Sequence, residues 1–214
     1  LFNSRIFAKN ACPTRHPEAK SLCPVCEAIN SIMVHQTEVK CDQCDTSYNP
    51  QEGSTGRTSA TCPDCQCTFP IIEAVRALDH PPHHRMYAKV ILNPDGGKEY
   101  LPIDEYDQAL YGKASAELGT GNFAYPQVAI EPGYNTDQVL NYNYTHWHQM
   151  FNDRQLLCLS ILSERIRNIA VCENDSLRNL FACLLSGCLE FNSMFCYFRG
   201  EGKGGMKDPL SHRN

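Results

Sequence analysis

The chain has 214 residues, 42% of them hydrophobic, and a formal net charge of −5. That length allows one large domain or two small ones with a real core. The acidic balance argues against a general nucleic-acid or membrane-surface binder, and no apolar run reaches the roughly eighteen residues of a transmembrane helix.

The opening LFNSRIFAKN has no apolar core and no small-residue cleavage site, so it does not read as a signal peptide. It also lacks an initiator Met, and the chain is expected to be the interior of something longer. Thirteen cysteines form two groups, eight from Cys12 to Cys67 and five from Cys158 to Cys196. A secreted disulfide scaffold is short and cysteine-rich throughout. Cysteine pairs followed by lone cysteines in apolar helical sequence fit a reducing cytoplasm better.

The first seventy residues are punctuated by Pro, Gly, Asn and Cys and show little periodicity. Six Lys/Arg stand against seven Asp/Glu. Such a region cannot build an apolar core of its own and needs a staple. CPVC (Cys23, Cys26) and CDQC (Cys41, Cys44), fourteen residues apart, supply one. Zinc takes four ligands in a tetrahedron and thiolates suit it, and two residues between cysteines let both sulfurs of a tight turn point at one metal. A third such turn, CPDC (Cys62, Cys65), follows seventeen residues later.

Three turns give six ligands, one and a half sites. The favoured arrangement closes Cys23, Cys26, Cys41 and Cys44 on one zinc and leaves Cys62 and Cys65 to a further pair upstream of Leu1. In the alternatives, Cys12, Cys67 or His16 completes the second site, or Cys41 and Cys44 pair with Cys62 and Cys65. A redox dithiol fits poorly, because a thioredoxin-like motif has one CxxC at a strand-to-helix junction.

Residues 80–84, HPPHH, offer His80, His83 and His84 as ligands, but two prolines and the lack of a nearby carboxylate favour an ordinary turn. MYAKVILNPDGGKEYLPI, residues 86–103, predicts a β-hairpin: strand formers flank a turn in which Pro fixes φ and Gly permits positive φ. Asp104 can cap a short helix ending at Gly119. Residues 120–150 read as an irregular linker, in which His146, Trp147 and His148 suit a packing anchor better than a base-stacking platform. Asn152 is a plausible N-cap for a helix carrying Leu156, Leu159, Leu162 and Ile166. A second helix from Ser176 to Tyr197 carries Leu177, Phe181, Leu184, Leu185, Cys188, Phe191 and Phe195. The short connection predicts antiparallel packing. Cys158, Cys172, Cys183, Cys188 and Cys196 are expected to be buried small hydrophobes. Arg165, Arg167 and Arg178, the best basic cluster, read as a solvated face. The tail, 200–214, is Gly-rich.

There is no G-x-G-x-x-G, Walker loop, H-E-x-x-H or G-x-S-x-G. NPDGG shares its Asn-Pro with the motif that amino-methyltransferases use to hold a flipped adenine, but it lacks the second Pro and the aromatic ring.

Several stretches, in order over nearly the whole chain, resemble one family: the bacterial adenine-specific DNA methylases that carry a zinc ribbon within the methylase domain. They are FAKNACPTRHPEAKSLCPVCEAIN, GSTGRTSATCPDCQCTFP, PPHHRMYAKVILNPDGGKEYLPI, YNTDQVLNYNYTHWHQMFNDRQLLCLSIL and CLEFNSMFCYFRGEGKGG. FNDRQLL (Arg154, Gln155) and LEFNSMFC (Glu190, Asn192) are the most specific pieces. After Gly205 the tail departs from the family pattern. The resemblance implies a section lying between the S-adenosylmethionine-binding motif and the catalytic Asp-Pro-Pro-Tyr motif, with neither present and no catalytic residue carried over. It also implies a further cysteine pair just upstream.

The resulting expectation is an α+β chain: zinc ribbon over 1–79, hairpin and short helix over 80–119, linker over 120–150, helix pair over 151–199 and tail over 200–214. Zinc is its own cofactor, S-adenosylmethionine belongs to the full-length parent only, and DNA is reached through the whole enzyme. The competing reading is a free-standing zinc-ribbon module that docks on protein or nucleic acid. A section of a larger domain should expose an apolar face on the helices, and a self-sufficient module should bury it.

Overall fold

The computed structural model describes residues 2–10, 12–169, 175–198 and 206–207. It is a mixed α+β structure of small antiparallel sheets and five α-helices that divides into two compact units. The first covers 1–104 and the second 105–197, apart from residues of the tail.

The first unit begins with a three-stranded antiparallel sheet of β1 (Ile6–Lys9), β2 (Glu18–Leu22) and β3 (Ile29–Met33) in sequential order. Its register explains its two faces. Ala19 pairs with Ile32 and Ser21 with Asn30, and all four are buried. The intervening Lys20 pairs with Ser31 on the other face, where its Nζ donates to Ser31 Oγ at 2.7 Å. This is the period-2 alternation of a half-buried sheet. Hairpins β4–β5 (Val39–Lys40 with Ser47–Tyr48) and β6–β7 (Ser59–Thr61 with Thr68–Pro70) follow, then the short helix α1 (Ile71–Arg76). The apolar cluster is small: Ala19, Ile32 and Val39, with Ile6, Val34 and Tyr48 against it. Gly53 marks a crowded point, because a Cβ there would collide with the Phe2 backbone.

The predicted hairpin is present as β8 (Ala88–Leu92) and β9 (Lys98–Pro102), with Val90 opposite Tyr100. Asn93 N–H donates to Gly97 O at 2.8 Å, and Gly96 takes φ +84°, which only glycine adopts without strain. Phe7 meets Tyr87 and Tyr100 edge-on, with ring centroids 5.5 and 5.9 Å apart, so aromatic packing joins this hairpin to the first sheet. An Arg85–Glu27 ion pair adds a polar link.

In the second unit α2 (Glu105–Thr120) packs on α4 (Asp153–Ile169), and α4 on α5 (Asp175–Phe191). Asn152 is the expected cap of α4. Its Oδ1 accepts from Gln155 N–H, and Gln155 Oε1 accepts from Asn152 N–H, both at 3.0 Å. This is a reciprocal capping box. Residues 120–150 are mostly irregular, but they contain α3 (Asp137–Leu140) and a 3₁₀ turn, Trp147–Met150. They also supply a core: Ile130, Val139, Tyr144 and Met150 are buried together, with Phe151, Met194 and Phe195 against them. Tyr144 is the aromatic anchor, edge-on to Phe195 at 5.0 Å, whereas Trp147 is exposed. The last helix ends at Phe191, short of Tyr197, because Met194 N–H turns back to Met150 O at 2.8 Å.

The helical cysteines correct an expectation. Cys158 and Cys183 are exposed, and Cys188 and Cys196 are half-buried; Cys172 lies outside the described residues. On α4, Leu156, Leu157 and Ser160 occupy the buried face and turn Cys158 outward. Arg165, Arg167 and Arg178 are exposed, Arg178 paired with Asp175, as a solvated face requires. Of the tail, only Met206–Lys207, a two-residue strand, lies among the described residues beyond 200. No helix among the described residues is long and apolar enough to cross a membrane.

Candidate metal centre

Each CxxC turn is built the same way. Cys23 N–H donates to Ala28 O at 2.9 Å, and Glu27 N–H returns to Cys23 O at 3.2 Å. Cys41 repeats this with Thr46 O at 2.9 Å and Asp45 N–H at 3.0 Å. Glu27 and Asp45, the residues just after each second cysteine, take φ of 60° and 58°. That left-handed step reverses the chain and brings both sulfurs of a turn to one side. Neither residue is glycine, so each carries a backbone cost of order 1 kcal/mol that the surrounding contacts must offset.

The two turns face each other. Cys23 Sγ lies 3.6 Å from Cys44 Sγ, Cys26 Sγ lies 3.5 Å from Cys41 Sγ, and all four sulfurs fall within 4.8 Å of one another. A disulfide needs about 2.05 Å, so these are four thiols in a cluster. A tetrahedron with metal–sulfur bonds of about 2.3 Å has edges of roughly 3.8 Å, which the cluster nearly matches. The four-cysteine group could hold a metal ion and is compatible with zinc. The four ligands would fill a tetrahedral shell and leave no open position for substrate.

The sulfurs are held from behind by groups that the spacing of cysteines does not reveal. Val25 and Gln43 N–H groups point at Cys23 and Cys41 Sγ, both at 3.5 Å. Asn30, almost fully buried, donates to Ala28 O at 3.1 Å and to Tyr48 Oη at 3.2 Å, and its amide lies 3.7 Å from Cys41 Sγ. Its Oδ1 accepts from Asp42 N–H at 3.0 Å. Tyr48 Oη reaches Ser21 Oγ at 2.7 Å. Outer-shell groups of this kind orient metal ligands. The sequence signal for them is slight: an Asn and a Ser at inward positions of strands where an apolar residue would be usual.

The thiol acidities are uneven. For Cys41, burial opposes the charged form, but the Gln43 and Cys44 amides, the Cys26 thiol and Asn30 outweigh it and bring the group down to about 6. Cys44 is lowered, first by the Thr46 hydroxyl, 3.3 Å away. At Cys26 a backbone hydrogen bond at Ala28 favours the thiolate, but burial and the other three sulfurs overcome it and push the group up to about 12. Without metal the cluster therefore shares protons, and a bound cation must expel the last of them.

Of the six predicted ligands, the structure brings together Cys23, Cys26, Cys41 and Cys44. It does not bring Cys62 and Cys65 to this cluster. Among the described residues no third His, Cys, Asp or Glu joins them, Cys12, Cys67 and His16 included. The His80 and His83 rings are tilted to each other with centroids 4.6 Å apart, His80 Nδ1 lies 2.7 Å from Pro81 O, and residues 81–84 are irregular and form no turn. The chain matches no protein-family model, no curated protein and no solved structure.

Proposed function

We propose that this chain is an internal, non-catalytic section of a site-specific, S-adenosylmethionine-dependent adenine-N6 DNA methyltransferase of the cytoplasm, with a zinc ribbon that braces the enzyme or aids DNA recognition. Three things support the reading: the ordered resemblance along the sequence, a four-cysteine cluster with no open position for chemistry, and an apolar stripe on α5. Zinc at the cluster would supply a structural clamp; Cys23, Cys26, Cys41 and Cys44 would hold it. S-adenosylmethionine and the reacting adenine would be bound by other parts of the parent enzyme, which must flip the base to reach N6.

The observation that favours this over a free-standing zinc module is the stripe. Leu177, Leu180, Leu184 and Phe191 recur at helical spacing on α5 and are exposed by 39%, 56%, 55% and 43%. A self-sufficient module would bury such a face; a helix layered on the sheet of a larger domain would present it. The test is to express the open reading frame containing this chain, with its flanking sequence, in a host lacking adenine methylation. N6-methyladenine should appear in the host DNA, fall more than tenfold with Cys23→Ser/Cys26→Ser, and be absent with the 214-residue chain alone. No methyladenine from the full frame would sink the reading. In the isolated chain, Leu180→Gln/Leu184→Gln should reduce binding of a hydrophobic dye while changing stability by no more than about 0.5 kcal/mol.

A further inference from the structure

The three CxxC turns share one backbone. In each, the N–H of the first cysteine donates at 2.9 Å to the carbonyl five positions on, that of Ala28, Thr46 or Cys67. In each, the residue after the second cysteine takes a positive φ: 60° at Glu27, 58° at Asp45 and 59° at Gln66. What separates them is the residue seven positions after the first cysteine, on the strand that leaves the turn. It is Asn30 on β3, Tyr48 on β5 and Phe69 on β7. In the closed cluster the first two of these positions meet, and Asn30 Nδ2 donates to Tyr48 Oη at 3.2 Å. Phe69 has no polar atom to offer, and among the described residues Cys62 and Cys65 belong to no metal-competent group.

Two backbone groups fix the orientation of Asn30. The Asp42 N–H can only donate, so Oδ1 faces it, at 3.0 Å. Ala28 O can only accept, so Nδ2 faces it, at 3.1 Å. Ala28 follows the first turn and Asp42 lies in the second, so one buried carboxamide bridges both, with Cys41 Sγ 3.7 Å from its nitrogen. Tyr48 Oη accepts from Asn30 and so turns its own hydrogen toward Ser21 Oγ, 2.7 Å away. We infer that Asn30 and Tyr48 are the pairing determinant of the metal centre, a polar clasp that selects the Cys23–Cys26 turn as partner of the Cys41–Cys44 turn in preference to Cys62–Cys65. Joining the second and third turns in the same reciprocal way would set Tyr48 against Phe69 and strip Asn30 of Asp42 and Tyr48. A buried amide without partners is costly, so the clasp penalises the wrong pairing as well as favouring the right one. The inference rests on the metal-binding reading of the cluster and not on the methyltransferase reading.

The experiment loads the full chain with a single equivalent of zinc under reducing conditions, alkylates it, and reads the protected cysteines by mass spectrometry. Competition with a chromophoric chelator gives the zinc affinity. In the wild type Cys23, Cys26, Cys41 and Cys44 should be protected, and Cys62 and Cys65 labelled. Asn30→Leu, close in size but without polar atoms, should weaken zinc binding about 10- to 100-fold and let protection spread to Cys62 and Cys65. Tyr48→Phe removes one oxygen and keeps the ring, so it reads the clasp even where Asn30→Leu does not fold. It should weaken binding about threefold or more, with partial protection of Cys62 and Cys65. Protection confined to the same four cysteines in every variant that folds overturns the inference, because the clasp would then stabilise without selecting. Wild-type affinity in Tyr48→Phe also overturns it, as does a wild type in which zinc protects Cys62 and Cys65 in place of Cys23 and Cys26. A wild type protected at no cysteine overturns the metal reading itself, and this inference with it.

Discussion

The two units reach order by different means. Around the cysteine cluster the strands are two to five residues long, and the apolar cluster is three small or medium side chains with a few neighbours. Its polar groups, Ser21, Asn30 and Tyr48, are mutually bonded behind the sulfurs. The helical unit has longer elements, an aromatic core around Tyr144, and apolar side chains left exposed on α5. One region has little hydrophobic surface and a cysteine cluster that could cross-link it through a metal; the other has apolar surface to spare. Burial contributes about 25 cal/mol per Å² of apolar surface. A structural zinc site contributes on the order of 10 kcal/mol of coupled folding energy, enough to replace a missing core in a region this small.

That contrast predicts a divided response to metal removal. Cys23→Ser, or a strong chelator, should abolish the first unit's tertiary structure, a loss on the order of 10 kcal/mol of metal-linked stability. The helical circular dichroism of α2, α4 and α5 should persist. Simultaneous loss of the helical signal would show that the units do not fold independently. The converse substitution, Tyr144→Ala, should destabilise the helical unit by roughly 3 to 5 kcal/mol in denaturant unfolding. Its zinc content should be unchanged, and a drop in bound zinc would break the comparison.

Much of this was legible in the sequence where the determinant is local. The CxxC turns, the NPDGG hairpin and the Asn152 cap each depend on a handful of adjacent residues, and the spacing of Cys23 to Cys44 limits how two turns can meet. What was not legible depends on register or distant contact. Asn30 matters because it lies opposite Ser21 across β2–β3 and beneath Cys41, which no local pattern specifies. Tyr144 and Met150 form a core from irregular segments without a period to detect. Helix α2 packs on α4 through a face whose buried residue is Ala114, too weak an apolar signal to mark a contact. Cys158 and Cys183 look like core residues by type but are exposed.

Smaller effects sharpen the contrast. Asn152→Ala removes the cap from α4 and should cost about 1 kcal/mol by thermal unfolding, without touching metal affinity. Near-equality with wild type would mean that Gln155 or water replaces the cap. The thiol acidities set a proton signature for metal uptake. Cys41 titrates near 6, and Cys44 is lowered, whereas Cys26 is raised to about 12. Zinc binding near pH 7 should therefore release a proton from Cys26, and the number released should fall as pH rises through the alkaline range. On acidification through about 6 the most acidic sulfur protonates, so zinc retention should decline there, not increase. Calorimetry in buffers of different ionisation enthalpy measures the release, and a pH-independent count would contradict the assigned acidities.

Within the closed cluster each turn contributes one sulfur sealed from solvent, Cys23 or Cys41, and one partly open to it, Cys26 or Cys44. A metal held there can be approached from one side only. Chelators, competing thiols and oxidants must begin at the second cysteine of a turn, so exchange should be sequential and slow compared with what the equilibrium affinity would suggest. Alkylation under partial metal loss would mark Cys44, which is partly open and acidified, before the sealed Cys23 and Cys41. The order of labelling would then be a kinetic record of which way the cage opens.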